Sequence, residues 1–188
     1  RRRAGVPEGG GVRRPSAVVH AGSHLPSRRW PADRFAAVAD ALAARGPDVV
    51  LTGSAAEGEL ARAVIAAGRG APADLTGLTP SVWVLGALVA ASSLVVANDT
   101  GLSHIAAALG VPSTIVASGS DVARWAPLDH DRHRVLWHAT PCRPCAHPVC
   151  PTAHECAAGV SVPAVVATAA GLLERSRPCP TPTAACAF

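Results

Sequence analysis

Residues 94–111 read Leu94-Val95-Val96-Ala97-Asn98-Asp99-Thr100-Gly101-Leu102-Ser103-His104-Ile105-Ala106-Ala107-Ala108-Leu109-Gly110-Val111. Their order decides the fold. Residues 94–97 are apolar without alternation, which suits a strand covered on both faces, as in a parallel sheet. A polar turn follows at once, and residues 100–109 then form an alanine-rich run that Gly110 stops, the pattern of a helix. Residues 113–117 are the next short apolar strand. Strand, turn, helix and strand in succession make a βαβ unit.

The same alternation continues outward. Residues 17–21 are a strand ending at Gly22, and Trp30-Pro31 opens a helix with Pro in its first turn and Asp33 near its positive end. Phe35, Val38, Ala39 and Leu42 recur at helical spacing until Gly46-Pro47. Residues 48–52 form a second strand, 56–67 a helix, and 74–75 a short strand. Residues 81–91 form a helix read as buried, 134–137 a weaker strand and 162–175 the last helix. The sequence therefore predicts an α/β domain: a Rossmann-like parallel sheet with helices on both faces. The domain runs over 17–176, after a linker at 1–16 and before a Pro/Thr/Ala tail at 177–188.

Composition narrows the function classes. Of the 188 residues, 49% are hydrophobic and 16% charged, which excludes wholesale disorder. Aromatics make only 3%, so the core comes from Val, Leu, Ile and Ala. Five arginines at positions 1, 2, 3, 13 and 14 supply the net charge of +4. They sit in Gly/Pro-containing sequence without interleaved aromatics, so the segment reads as a linker and no nucleic-acid partner is expected. Methionine is absent, and the chain reads as a piece of a longer protein. The apolar run 81–97 falls short of the ~20 residues a membrane span needs. A cytoplasmic protein with at most peripheral contact at the inner face of the plasma membrane is expected.

In a sheet of this kind ligands bind beyond the carboxyl ends of the strands. The polar and glycine residues gather there, in segments 22–29, 53–57, 76–80, 98–104 and 118–125. Thr100 stands where a hydroxyl caps a helix, and Gly101 lets a ligand approach the backbone. The free N–H groups of the first turn favour an anion. His104 lies four residues on, over the same face. Arg28, after the first strand, offers paired donors suited to phosphate oxygens.

The segments from His20 to Pro31, LTGSAAE at 51–57, DLTGLTP at 74–80 and NDTGLSHIAAALGVP at 98–112 resemble glycosyltransferase family 9, the bacterial heptosyltransferase family of lipopolysaccharide core assembly. The resemblance implies the C-terminal half of a GT-B enzyme, in which two Rossmann-like domains face each other across a cleft and this half grips the nucleotide-sugar donor. By position it implies Ser23 and His24 beside the diphosphate, with Arg28 where family members often carry lysine. It places Gly53 and Glu57 at the ribose, and Leu78 and Pro80 along the base. Asp99, Thr100, Gly101 and His104 fall at the diphosphate and sugar. The implied donor is ADP-heptose-like, the acceptor a glycan or glycolipid, and the partner an N-terminal domain carrying the catalytic base. No catalytic residue is therefore expected in this chain; Asp121, after Gly119-Ser120, is the one local candidate.

Cys142, Cys145, Cys150 and Cys156, with His147 and His154 between them, occupy a Pro-rich loop over 141–157. Their spacing admits a structural zinc or iron–sulfur site, with free thiols or a disulfide the stronger reading. The reaction itself requires no cofactor, and the cluster is read as structural. Trp30 and Trp125 are candidates for the cleft edge, with helix packing the stronger reading for Trp30; Trp83 is read as core, and Trp137 as either. Two alternatives remain open: a non-catalytic nucleotide-sugar-binding module with a structural metal, and a GT-B-type sugar-nucleotide epimerase.

Overall fold

The computed structural model describes residues 16–176. The expected tail, with Cys179 and Cys186, and all of the expected linker but Ser16 lie outside the described residues. Six parallel strands form one sheet: β1 (Ser16–His20), β2 (Asp48–Leu51), β3 (Ala73–Asp74), β4 (Leu94–Asn98), β5 (Ser113–Val116) and β6 (His133–Leu136). Their spatial order is β3-β2-β1-β4-β5-β6. Val18 pairs with Val50 on one side and Val95 on the other, so β1 and β4 lie side by side at the centre. There the chain order reverses, the switch point at which a crevice opens beyond the strand ends. Ser16, assigned to the linker by the sequence, is the first residue of β1.

Side-chain alternation divides the core. Ala17, Val19, Leu94 and Val96 point to one face, where Phe35, Val38 and Leu42 of α1 (Ala32–Ala43), Val64 of α2 (Gly58–Ala67) and Val165, Ala169 and Leu172 of α7 (Val162–Ser176) cover them. Val18, Val95 and Ala97 point to the other, under Val89 of α3 (Val82–Ala90) and Leu102 and Ala106 of α4 (Gly101–Ala108). Every residue of β4 is buried, as its unbroken apolar run requires.

Three expectations need correction, while the stronger reading of Trp30 holds. The helix expected over 56–67 begins with a 3-10 turn at Ala55–Glu57, because the Glu57 carboxylate folds back on Ser54 and closes a capping box. Two short helices were not foreseen, α5 (Val122–Trp125) and α6 (Glu155–Ala158); four residues carry too little periodicity to detect. α3 is not a buried helix: among its nine residues only Val89 is fully buried, and Trp83, read as core, is 84% exposed. Its apolar residues encircle the helix, so no stripe could show which side meets the sheet. Trp30 is wholly buried, edge-on to Phe35 with its indole N–H donating to the Val160 carbonyl, so it packs and does not line a cleft.

Candidate functional site

Asn98, at the end of β4, ties the switch point together. Its Oδ1 accepts the Trp30 backbone N–H at 2.9 Å, and its Nδ2 donates to the Ala21 carbonyl at 2.7 Å. This buried amide joins the loops after β1 and β4, the two loops expected to hold an anion. The sequence offered Asn98 only as part of a polar turn, since its partners lie 68 and 77 residues away.

Beside it α4 begins. Thr100 stands at the N-cap position, but its side chain does not cap: the Ser103 backbone N–H bonds to the Thr100 carbonyl, and the Thr100 hydroxyl is buried without a partner. The expected capping bond is thus absent, and one hydroxyl is left over beside the first-turn amides. A side chain built on Gly101 would meet open space, so an incoming ligand finds bare backbone there. His104 is exposed one turn on, its ring 6.1 Å from that of Trp125, which is half-exposed as a cleft-edge residue should be.

The loop after β1 brings Ser23, buried, with its carbonyl bound by Arg29 Nε at 2.9 Å, and His24, exposed. Arg28 ends a 3-10 turn (Pro26–Arg28) and reaches across to donate to the Cys145 carbonyl at 3.1 Å. At the end of β2, Gly53 and Glu57 lie together, and a side chain on Gly22 would collide with the Glu57 carboxylate, so the loops after β1 and β2 touch. Burial raises the Glu57 pKa, but the Ser54 N–H and hydroxyl bonds with the His20 and Arg29 charges outweigh it and hold the carboxyl below its usual range. His20, which shares a 3.1 Å hydrogen bond with Thr52, has its own pKa lowered by burial, against the raising influence of Glu57 and the Thr52 bond. Leu78 and Pro80 are exposed on the loop after β3. Asp121 accepts the Arg124 N–H as the N-cap of α5.

The cysteine-rich loop covers the edge of this site on the β5 side. The Ser27 N–H donates to the Pro148 carbonyl, the Ser27 hydroxyl to the His147 carbonyl, and the Cys145 N–H to the Gly119 carbonyl at 2.7 Å. The four thiols are free, Cys145 and Cys156 buried and Cys142 exposed. Among the described residues no group of three or more His, Cys, Asp or Glu side chains is arranged to hold a metal ion. Cys145 packs against Gly119, where an added Cβ would come within 2.8 Å of its own Cβ.

Residues 2–155 match the pattern of glycosyltransferase family 9 (heptosyltransferase). The chain belongs to that family. Over 109 residues it is 35% identical to lipopolysaccharide heptosyltransferase 2 of Salmonella typhimurium, a stretch covering 56% of this chain and 31% of that protein. Its fold is similar to the ADP-heptose lipopolysaccharide heptosyltransferase II of Escherichia coli (TM-score 0.74, 29% identity, 86% of this chain and 47% of that one). It is also similar to a family 9 glycosyltransferase of Veillonella parvula (TM-score 0.75, 25% identity, 86% and 46%). The family 9 chain thus spans about half the length of these solved relatives. Among its described residues no helix is long and apolar enough to cross a membrane.

The structure brings Ser23, Arg28, Asp99, Thr100 and Gly101 to the carboxyl edge around β1 and β4, and Gly53 and Glu57 to the adjoining end of β2. It adds two residues that sequence reasoning did not select, Asn98 and Arg143. Arg143 lies between two cysteines, and its grip on the loop after β5 is a tertiary contact with no local signal.

Proposed function

We propose that this chain is the donor-binding half of a heptosyltransferase-like enzyme, taking a nucleotide-diphosphate sugar for transfer to a glycan or glycolipid acceptor. One observation carries the reading: the amino end of α4, with its unpartnered Thr100 hydroxyl and open Gly101, lies next to the arginine-bearing loop after β1, joined to it by Asn98. Free amides, a helix dipole and a guanidinium suit a diphosphate. Glu57, at the neighbouring strand end and held ionised, suits ribose hydroxyls. In the transfer the acceptor hydroxyl attacks the anomeric carbon while the bond to the diphosphate breaks and the leaving group departs with the electron pair. The amides, Arg28 and His104 oppose the charge that develops there. The base that takes the acceptor proton is assigned to an N-terminal domain, because Asp121 caps α5 and Asp99 lies in the turn between β4 and α4 that is read as the donor side. The scheme asks for no resident metal and is compatible with peripheral contact at the inner membrane face.

Calorimetry with ADP-, UDP- and GDP-sugars tests this: at least one binds in the micromolar to millimolar range. Gly101→Leu with Thr100→Val removes that binding and leaves the fold, since open space surrounds position 101. A folded protein that binds none of the three sinks the reading.

A further inference from the structure

The mechanism above uses one arginine, yet the structure brings two to the same place. Arg143 donates from Nη1 to the Ser120 carbonyl at 2.6 Å and from Nη2 to the Ala117 carbonyl, with its guanidinium 5.2 Å from the centre of the Trp137 ring. It thereby holds both ends of the turn after β5, while Cys145, two residues on, holds the middle through Gly119. From the opposite side Arg28 donates to the Cys145 carbonyl. Segment 143–145 thus links two arginines from different loops, accepting from Arg28 at Cys145 and reaching the turn after β5 through Arg143.

Neither forms an ion pair with a carboxylate among the described residues. The ion pairs among the described residues are Arg132–Asp129 and Arg134–Asp131, both on the far loop before β6. The Nε of Arg28 and the Nε of Arg143 are both buried without an acceptor. In the turn that Arg143 holds, the hydroxyls of Ser118 and Ser120, 1% and 0% exposed as residues, also lack partners, and so does the hydroxyl of Thr100 at the start of α4. An arginine in this position stays charged at neutral pH. Two arginines on adjoining loops, with buried Nε donors and nearby hydroxyls unpaired, are groups that an anion would satisfy.

We propose that Arg143 is a second arginine of the phosphate site, delivered by the cysteine-rich loop to share a nucleoside diphosphate with Arg28; this rests on the nucleotide-sugar reading above. A second role follows from the same bonds. By holding the turn at 117–120, Arg143 fixes one wall of the site, and the loop that carries the cysteines becomes a device for placing a charge. Trp137 screens one face of the guanidinium from water, which strengthens its attraction for an anion.

The test is calorimetry of the full chain with ADP and with AMP, in the native sequence, in Arg143→Gln and in Arg143→Lys. The native chain prefers ADP. Arg143→Gln lowers ADP affinity about tenfold or more, the scale of a lost charge-assisted hydrogen bond. It lowers AMP affinity far less and flattens the salt dependence of ADP binding. Arg143→Lys, which keeps the charge and loses the fork, retains the preference for ADP at reduced affinity. Equal losses for ADP and AMP would mark Arg143 as merely structural and overturn the proposal, as would unchanged ADP binding in Arg143→Gln. Should Arg143→Gln not fold, Arg143→Lys decides alone: loss of its ADP preference overturns the proposal. A native chain that binds neither nucleotide overturns this inference together with the donor-binding reading, an outcome distinct from a native chain that binds ADP as well as its variant.

Discussion

The two faces of the sheet are built from the same kinds of residue and reach opposite states. Under α1, α2 and α7, the face carrying Val19 and Val96 buries Trp30, Phe35, Leu42 and Leu172 completely or nearly so. Under α3 and α4, the face carrying Val18 and Val95 buries a shorter set, of which Leu102 is the largest side chain. α3 reads Val82-Trp83-Val84-Leu85-Gly86-Ala87-Leu88-Val89-Ala90, without a polar residue, yet Val82 is 59% and Trp83 84% exposed. α1 carries Asp33, Arg34 and Asp40, and it buries five residues. Burial therefore follows the number of layers stacked on a helix. It does not follow the helix's own hydrophobicity. α1 lies between α2 and α7, whereas α3 has only α4 beside it, and one helix cannot cover another on every side.

The largest expected effect tests the depth of the well-covered face. Trp30→Ala removes a ring packed on Phe35 and leaves the Val160 carbonyl without the indole donor, so it should cost about 3–5 kcal/mol in urea denaturation. Leu102→Ala, on the thinner face, should fall near about 2 kcal/mol, the lower end for a buried leucine, because the few side chains around it can relax. An equal or larger loss for Leu102→Ala would break the contrast.

Acid should act at the ends of the sheet more than on either face. His133, at the start of β6, and His20, at the end of β1, both have pKa values lowered chiefly by burial. The unfolded chain then binds their protons first, so stability falls as pH drops through the ordinary histidine range near ~6.5. Glu57, with its lowered pKa, adds to the loss only in the more acidic carboxylate range. His133→Gln, which can still pair with the Ser113 hydroxyl, should flatten the melting-temperature slope between about pH 7.5 and 5.5. An unchanged slope would show that His133 does not sense the acid.

The smallest effect is expected at the most conspicuous residue. Trp83→Ser should change stability by no more than about 0.5 kcal/mol, because the side chain is already in water. A loss above about 1 kcal/mol would mean that α3 is covered in solution, and sedimentation of the same variant would show whether a second copy does the covering.

Much of the architecture was legible in local sequence. The all-apolar run at 94–97, the turn at 98–101 and the helix to Gly110 need only neighbours to declare themselves, and the structure has them as β4 and α4. The strand ends where polar residues and glycines gather were legible for the same reason, and so was Trp30 as a packing residue ahead of a cleft residue. The family pattern around Asn98 and His104 added an expected donor site, residue by residue.

Other features depend on partners far along the chain. The order β3-β2-β1-β4-β5-β6 puts the first and fourth strands together, and with them Asn98 against Trp30. Arg28 and Cys145 are 117 residues apart in sequence and meet in a hydrogen bond that no periodicity encodes. Thr100 looked like a cap because its position is a cap's position; whether its hydroxyl turns inward depends on what surrounds it. The cysteine spacing admitted a metal, a disulfide or free thiols; the structure has four free thiols, with Cys145 packed against Gly119. The sequence by itself determined which residues become strands, helices and turns, because hydrophobic period and backbone preference act within a few residues. Only the tertiary structure decided which faces are doubly covered, where Arg143 lands and what the cysteines do, because burial and electrostatic neighbourhood come from residues brought together by the sheet.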